Sequence, residues 1–374
     1  MHTGIDARSI FTGGGGDRTY FRSLIQTMAR LYPQDRWTLY AEAPDADRDT
    51  LAAPNVAIAA PLPARIGALW NVTALTAALR RDRVDILHAQ YMLPPFGTVS
   101  CPMVVTIHDI TFRLFPHWFP RHQNRVQNFL IPQAARRAGR VITGSECACD
   151  DMVSHMGVPR EKIALTPYGV SNRFRPADAM AIDAARARYE VPERYLFGVG
   201  ILRKRKNAVV VLRAMDRLVE RGEWPRDIVL VLTGNWTGDR EAAAFFEASE
   251  RLNPLVKTIG FVQDNVLPAL LTGALGVVYP SRYEGFGLPV LEAMACGAPV
   301  VSSNASSLPE VVGDAGLLRA PDDVEGWSDA LKILLTNHVQ RHELSRRGLL
   351  RAKQFTWERT ARETMAVYQS LVEE

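Results

Sequence analysis

Cysteine is scarce, with four residues among 374, Cys101, Cys147, Cys149 and Cys296. The one close pair, Cys147 and Cys149, is separated by a single residue, a spacing that suits neither a zinc knuckle nor a redox motif. The thiols are therefore expected to be reduced, with no disulfide framework. A charge excess is also missing: 44 basic against 40 acidic residues leave +4, too little to argue for nucleic acid, though compatible with anionic ligands. Long apolar runs are absent as well. The uncharged stretches 91–107 and 265–281 approach spanning length, but Pro94, Pro95, Pro102, Pro268, Gly273, Gly276 and Pro280 interrupt them, so no transmembrane helix is predicted. Met1-His2-Thr3 leads straight into the strand-like Gly4-Ile5-Asp6. With no basic segment and apolar core of a secretory signal there, the expected compartment is the cytoplasm.

What is present is ordinary for a globular protein: 47% hydrophobic and 22% charged residues, which excludes disordered and fibrous classes. At about 150 residues per domain, the length predicts two domains. Short β-branched runs alternate with helical patterns, the sequence form of βαβ units on a parallel sheet. In the first half the predicted strands are 84–88, 103–108, 141–143 and 163–166, with a helix from Asp17 to Leu31 whose Phe21, Leu24, Ile25, Met28 and Leu31 share a face. The second half restarts near Tyr195: strands 195–199, 228–233, 256–260, 275–279 and 299–302, and a helix 208–220 with Asn207 in the capping position. Both halves begin strand, glycine-containing loop, helix, a repeat of architecture without a repeat of residues. Pro167 to Pro176 holds two prolines and a glycine and no periodicity, and is read as the linker. The predicted domains are 1–170 and 171–356, followed by an amphipathic helix within 357–374 carrying Met365, Val367, Tyr368 and Leu371.

Three stretches could carry chemistry. Gly13-Gly14-Gly15-Gly16 lies between the first strand and first helix, where backbone N–H groups can meet an anion, although a plain flexible turn fits equally well. Arg203-Lys204-Arg205-Lys206 occupies the equivalent loop of the second half, so a diphosphate would meet both side-chain charge and helix dipole. The most informative stretch is 279–297, YPSRYEGFGLPVLEAMACG. Gly285 and Gly287 form a loop, and Pro289 suits a first helical turn. A helix starting near Leu288 puts Glu292 one turn inside it and leaves Glu284 on the loop, so the two carboxylates can touch different parts of one extended ligand.

At these residues the chain resembles a known family. Glu284 to Glu292 forms an E-x7-E motif, and YPSRYEGFGLPVLEAMACGAPVVSSNASSLPEVVGDAG is similar to the nucleotide-sugar-binding region of the family-four retaining glycosyltransferases. The likeness extends to GFVQDNVLPALLTGA, VGILRKRKN, TPYGVSNRFRP, VVTIHD and GSE, and more loosely to GIDAR and the glycine-rich turn. It implies the α/β GT-B fold: two Rossmann-like domains facing across a cleft, with the last helix crossing back to the first. By the same resemblance Glu292 would bond the ribose hydroxyls. Glu284 and the backbone N–H groups of Gly285, Phe286, Gly287 and Leu288 would hold the transferred sugar and its phosphate. Arg205 and Lys206 match the diphosphate-binding pair, and the main chain around Phe261 and Val262 would meet the base. Gly14 and Gly15 join the donor-binding set, and His108 would reach the donor sugar near the reaction centre. His88, ending the preceding strand, is a further candidate. Two departures stand out: Ile201 follows Gly200 where some members have arginine, and Tyr168 stands where asparagine is frequent.

The implied activity is transfer of a hexose, with mannose favoured, from a nucleotide diphosphate sugar to an acceptor hydroxyl on a glycan, a lipid-linked glycan or a small molecule, with retention at the anomeric carbon. GDP-mannose is the favoured donor; UDP- and ADP-sugars stay open. No Asp-x-Asp motif lies in either candidate loop, so no metal or other cofactor is expected. Segments 113–140, with Phe115, Trp118, Phe119 and Phe129 among arginines, and 65–83, with Trp70, form a candidate basic aromatic surface for the inner face of a membrane. The same residues also read as core aromatics beneath a solvated face. The alternatives to transfer are a GT-B sugar-nucleotide epimerase, which needs no acceptor, and a non-catalytic sugar-nucleotide-binding protein.

Overall fold

A computed structural model describes residues 1–11, 15–41, 51, 53–59, 70–95, 97–200 and 202–373, and all statements about structure concern these. The chain forms two units, Met1–Gly169 with Thr356–Glu374, and Val170–Phe355.

The first unit is built on seven strands, β1 (His2–Asp6), β2 (Arg36–Tyr40), β3 (Val56–Ile58), β4 (Ile86–Gln90), β5 (Met103–Thr106), β6 (Arg140–Thr143) and β7 (Ile163–Leu165). Their order is β3-β2-β1-β4-β5-β6-β7, and every pairing is parallel. The second unit carries β8 (Tyr195–Gly198), β9 (Val229–Leu232), β10 (Val256–Thr258), β11 (Gly276–Tyr279), β12 (Val300–Ser303) and β13 (Leu317–Arg319). They run β10-β9-β8-β11-β12-β13, again parallel throughout. The expected repeat of architecture is thus a repeat of strand order: each sheet starts in its middle and grows outward first one way, then the other. That arrangement leaves a crevice beyond the carboxyl ends of the two central strands, β1 and β4 in one sheet and β8 and β11 in the other.

Parallel strands covered by helices on both faces must be apolar on both faces, and β8 (YLFG), β11 (GVVY) and β12 (VVSS) are buried at every residue. Those continuous runs are what made the central strands legible. β2, β3 and β13 were not predicted: β3 and β13 are three residues long and only partly buried, too short for either periodicity to show.

The predicted helices appear as Gly16–Leu31, Ala208–Glu220 and Trp357–Val372. Asn207 does not cap as expected. It sits in the left-handed region, φ 58°, without a side-chain bond to the helix, and its amide instead donates to the carbonyls of Pro321, 2.7 Å, and Pro280, 3.3 Å. The last helix belongs to the first unit, where Trp357, Ala361, Met365 and Tyr368 are buried. Gly169 permits this: a Cβ there would lie 2.1 Å from the Trp357 backbone nitrogen. No described helix is long and apolar enough to cross a membrane.

Candidate functional site

In the second unit the loops that follow β8 and β11 meet at the switch in strand order. After β8, a short turn spans Lys204–Lys206. It leaves Arg203 and Lys204 exposed and turns Lys206 into the interior, 9% accessible. The run of four cations is therefore two solvated charges followed by two inward ones. After β11, residues 280–287 bring Glu284, 7% accessible, against them.

Glu284 is the centre of the cluster. Its Oε2 lies 2.7 Å from Arg205 Nη1 and its Oε1 2.6 Å from Lys206 Nζ. Ser281 Oγ donates to Oε1 at 2.5 Å and the Tyr279 hydroxyl at 3.2 Å. Arg205 also donates to the Tyr283 carbonyl, 2.6 Å. Lys206 donates to the Tyr279 hydroxyl and lies 4.5 Å from the centroid of that ring. The loop is pinned from behind: the Glu284 amide donates to Ser306 Oγ, 2.8 Å, and Ser307 Oγ donates to the carbonyls of Glu284 and Phe286. Burial alone would raise the Glu284 carboxyl, but Lys206 and Arg205 outweigh it and bring the group down to about 2. Burial pulls Lys206 down to about 8, against the opposing pull of Glu284 and with the help of Arg205. Two cations and one carboxylate leave one net positive charge facing the crevice, suited to an anion.

Gly287 opens the helix Leu288–Ala295 at φ 110°, a conformation that needs glycine. A Cβ there would also press on Leu308, 2.8 Å away. Glu292 sits one turn inside this helix, as the spacing predicted, and desolvation pushes its carboxyl up to about 8, with Arg173 lowering and Asp264 raising it. Phe286 is buried, in edge contact with Phe355 at 5.8 Å. At the carboxyl end of β10, Phe261 is 82% exposed and Val262 is buried, while Gly234 and Gly260 bridge the ends of the two neighbouring loops through a 2.8 Å backbone bond.

In the first unit, His108 follows β5 and is 6% accessible. Its Nδ1 bonds the Tyr168 hydroxyl and its Nε2 lies 2.9 Å from the Gln90 amide nitrogen. Burial lowers the imidazole from its ordinary value, against the pull of Asp17 and Asp109, so it is neutral at pH 7. His88 has a different place. It is fully buried, with Nε2 2.6 Å from Thr106 Oγ1 and Nδ1 on the Tyr368 hydroxyl, and burial brings it down to about 3. It fastens the last helix to the sheet and presents nothing to a ligand.

Arg205, Lys206 and Glu284 are thus brought into one cluster of the second unit, with Glu292 and the Gly285–Leu288 turn on the segment that follows. Tyr279 feels both Glu284 and Glu292. His108 and the glycine turn belong to the first unit. Gly14 lies outside the described residues, as does Ile201; Gly15 and Gly16 are described, Gly15 with φ 73° and open space around it. Sequence reasoning missed Tyr279, Ser281, Ser306 and Gln90, whose contribution depends on contacts between distant segments. Of the basic aromatic surface, Trp70 is fully buried and Phe129 is 65% exposed, so only the later segment presents an aromatic ring. Among the described residues Glu146, Cys149 and Asp150 have metal-type ligand atoms within 4.8 Å of one another. Glu146 is engaged by Arg160 and burial raises the Cys149 thiol, the opposite of what metal binding needs.

Residues 182–351 match the family described as Glycosyl transferases group 1, and residues 14–173 match Glycosyltransferase Family 4. The O-antigen chain mannosyltransferase B of Escherichia coli is 32% identical over 271 residues, 72% of this chain and 70% of that one. The MMP alpha-(1->4)-mannosyltransferase of Mycolicibacterium hassiacum is 29% identical over 319 residues, 80% and 74% of the two chains. Among solved structures, Anabaena Alr3699/HepE in complex with UDP and glucose shares the fold at a TM-score of 0.76 and 19% identity, covering 99% of this chain and 100% of that one.

Proposed function

The chain belongs to the group 1, family 4 glycosyltransferases, and from that premise we propose that it transfers a hexose, mannose in the first instance, from a nucleotide diphosphate sugar to an acceptor hydroxyl with retention and without a metal ion. The observation that carries this reading is the pairing of Arg205 and Lys206 on buried Glu284 at the carboxyl end of the second sheet's central strands. Breaking the bond between sugar and diphosphate develops negative charge on the leaving group. Two cations already fixed in a desolvated setting stabilise that charge without reorganising, which is a large term in catalysis. The same charge is what a divalent metal would otherwise neutralise.

In this reading Glu292 takes the ribose hydroxyls, Phe261 and Val262 lie along the base, and the N–H groups of the Gly285–Leu288 turn face the phosphate. Glu284 takes a hydroxyl of the transferred sugar, and in the first unit His108 is read as a group that bonds a sugar hydroxyl. Mannose is favoured because two of the similar proteins are named as mannosyltransferases, and a glycan or lipid-linked acceptor because one of them is named for the O-antigen chain. The helix Arg121–Arg137 supports contact with an anionic membrane face in the cytoplasm: Val126 and Phe129 are exposed at 48% and 65% on an arginine-rich helix.

A thermal-shift panel over GDP-mannose, UDP-glucose and ADP-glucose tests the donor, since a ligand that binds the native state raises its melting temperature. NMR of the product formed with the stabilising donor and a polyprenyl-linked glycan then reads the anomeric configuration. An inverted product, or turnover abolished by EDTA, contradicts the retaining, metal-free reading. Isomerised donor without an acceptor would make the chain an epimerase, and donor affinity with neither transfer nor hydrolysis a binding protein. Flotation with phosphatidylglycerol vesicles at low salt tests the membrane contact, and the absence of binding rejects it.

A further inference from the structure

Tyr168 is the residue before Gly169, at the end of the first unit's main segment. Its ring occupies the space that Gly144 leaves open, where a Cβ would come within 2.6 Å of it. It lies parallel to Trp357, centroids 6.3 Å apart at 10°, and tilts against Tyr20 at 4.7 Å. With three neighbours fixing the ring, the hydroxyl has one direction, and that direction ends on His108 Nδ1. The histidine ring is itself packed edge-on among Tyr20, Tyr91 and Tyr168.

The other ring nitrogen decides the tautomer. Gln90 Nε2 lies 2.9 Å from His108 Nε2 and donates to the Asp17 carbonyl at 3.1 Å. A carbonyl oxygen only accepts, so the Gln90 atom facing it is nitrogen and the amide cannot be turned the other way. An amide nitrogen only donates, so His108 Nε2 must accept and carries no proton. The single ring proton is then on Nδ1 and is donated to Tyr168 Oη.

We propose that Gln90 is a positioning residue that, with the Tyr168 hydroxyl accepting from Nδ1, holds His108 as the Nδ1-protonated tautomer and so reserves Nε2 to accept a hydrogen bond from a sugar hydroxyl. The inference deepens the reading of His108 given above and rests on it. The Gln90 amide occupies the lone pair that the hydroxyl would use, and it keeps the Asp17 carbonyl as its other partner when displaced. A wrong tautomer turns that lone pair into a second donor facing a hydroxyl, so the side chain would have the right place and the wrong polarity.

The experiment uses the full chain with 15N-labelled histidine. Long-range proton–nitrogen correlations distinguish the two neutral tautomers, and His108→Gln identifies the resonance by its disappearance. In the native chain the expected signature is protonated Nδ1. In Gln90→Met, which removes the donor facing Nε2 and leaves the Asp17 carboxylate 3.7 Å from that nitrogen, the population shifts toward protonated Nε2 and kcat for transfer falls about tenfold with donor KM little changed. In Tyr168→Phe, which keeps the ring and its three packing contacts, Nδ1 stays protonated because Gln90 still donates to Nε2. A protonated Nε2 in the native chain, or an unchanged tautomer in Gln90→Met, overturns the proposal. The spectra need no turnover, so a chain that transfers no sugar, or His108→Gln with native kcat, overturns the functional reading while the tautomer measurement still decides this one.

Discussion

Glu284 and Glu292 share one loop-and-helix segment and are held in opposite protonation states. The first is brought to about 2 by Lys206 and Arg205 in spite of its burial, and the second is pushed to about 8 by desolvation. Environments that drive two carboxyls apart mark different tasks. Glu284 is a permanent anion that fixes two cations. Glu292 is a neutral group at pH 7, able to donate as well as accept, which suits recognition of hydroxyls.

Glu292→Gln is expected to stabilise the ligand-free chain while raising donor KM. The unfolded carboxyl loses its proton near the ordinary value of 4.5, the folded one near 8. Between those values the folded chain retains a proton that the unfolded chain has lost, so this group's contribution becomes less favourable as pH rises. Removing it should add about 1 to 3 kcal/mol at pH 8 and nothing at pH 4. Urea denaturation at the two pH values checks this, and equal gains at both would contradict it.

Lys206→Ala should lower kcat by about a hundredfold or more, with a smaller change in donor KM, because the charge it stabilises is largest in the transition state. Steady-state kinetics matching the native chain would remove Lys206 from the reaction.

Lys206 also predicts a pH dependence. With its ammonium titrating at about 8 between Glu284, Arg205, Arg203 and the Tyr279 ring, affinity for a nucleoside diphosphate should fall as pH rises through that value. Calorimetric titration with GDP from pH 6.5 to 9.5 measures it. Lys206→Arg keeps its charge over this range and should flatten the profile.

Gly169→Ala should destabilise the first unit by roughly 2 to 4 kcal/mol, because the added methyl meets the Trp357 backbone at 2.1 Å rather than a yielding side chain. Guanidinium melts followed by tryptophan fluorescence test this. A loss below about 0.5 kcal/mol, the scale of a neutral surface change, would mean the close approach is not real.

Tyr368→Phe should cost about 1 to 2 kcal/mol and leave transfer kinetics unchanged, since it strips a hydrogen bond from His88 inside the core and touches nothing at the candidate site. Matched thermal melts and kinetics check both halves, and a loss of kcat would return His88 to the list of functional residues.

The sequence by itself determined the central strands, because a strand buried on both faces reads as an unbroken apolar run, and the helices Ala208–Glu220 and Trp357–Val372, because their apolar stripes are long enough to count. Glycines and a proline at fixed spacing also put Glu284 on a loop and Glu292 one turn inside the helix that follows, whereas only the resemblance singled out Arg205 and Lys206 from their run of four cations. Only the tertiary structure decided what each polar group does. Asn207 reads as a cap and instead ties together Pro280 and Pro321. His88 and His108 both read as strand ends, but His88 lies inside β4 and bonds Tyr368 while His108 lies just past β5 and bonds Tyr168, residues far along the chain. Local periodicity records which face of an element is dry. The partner of a buried hydrogen-bonding group is chosen by contacts between segments distant in sequence, and no spacing along the chain encodes that choice.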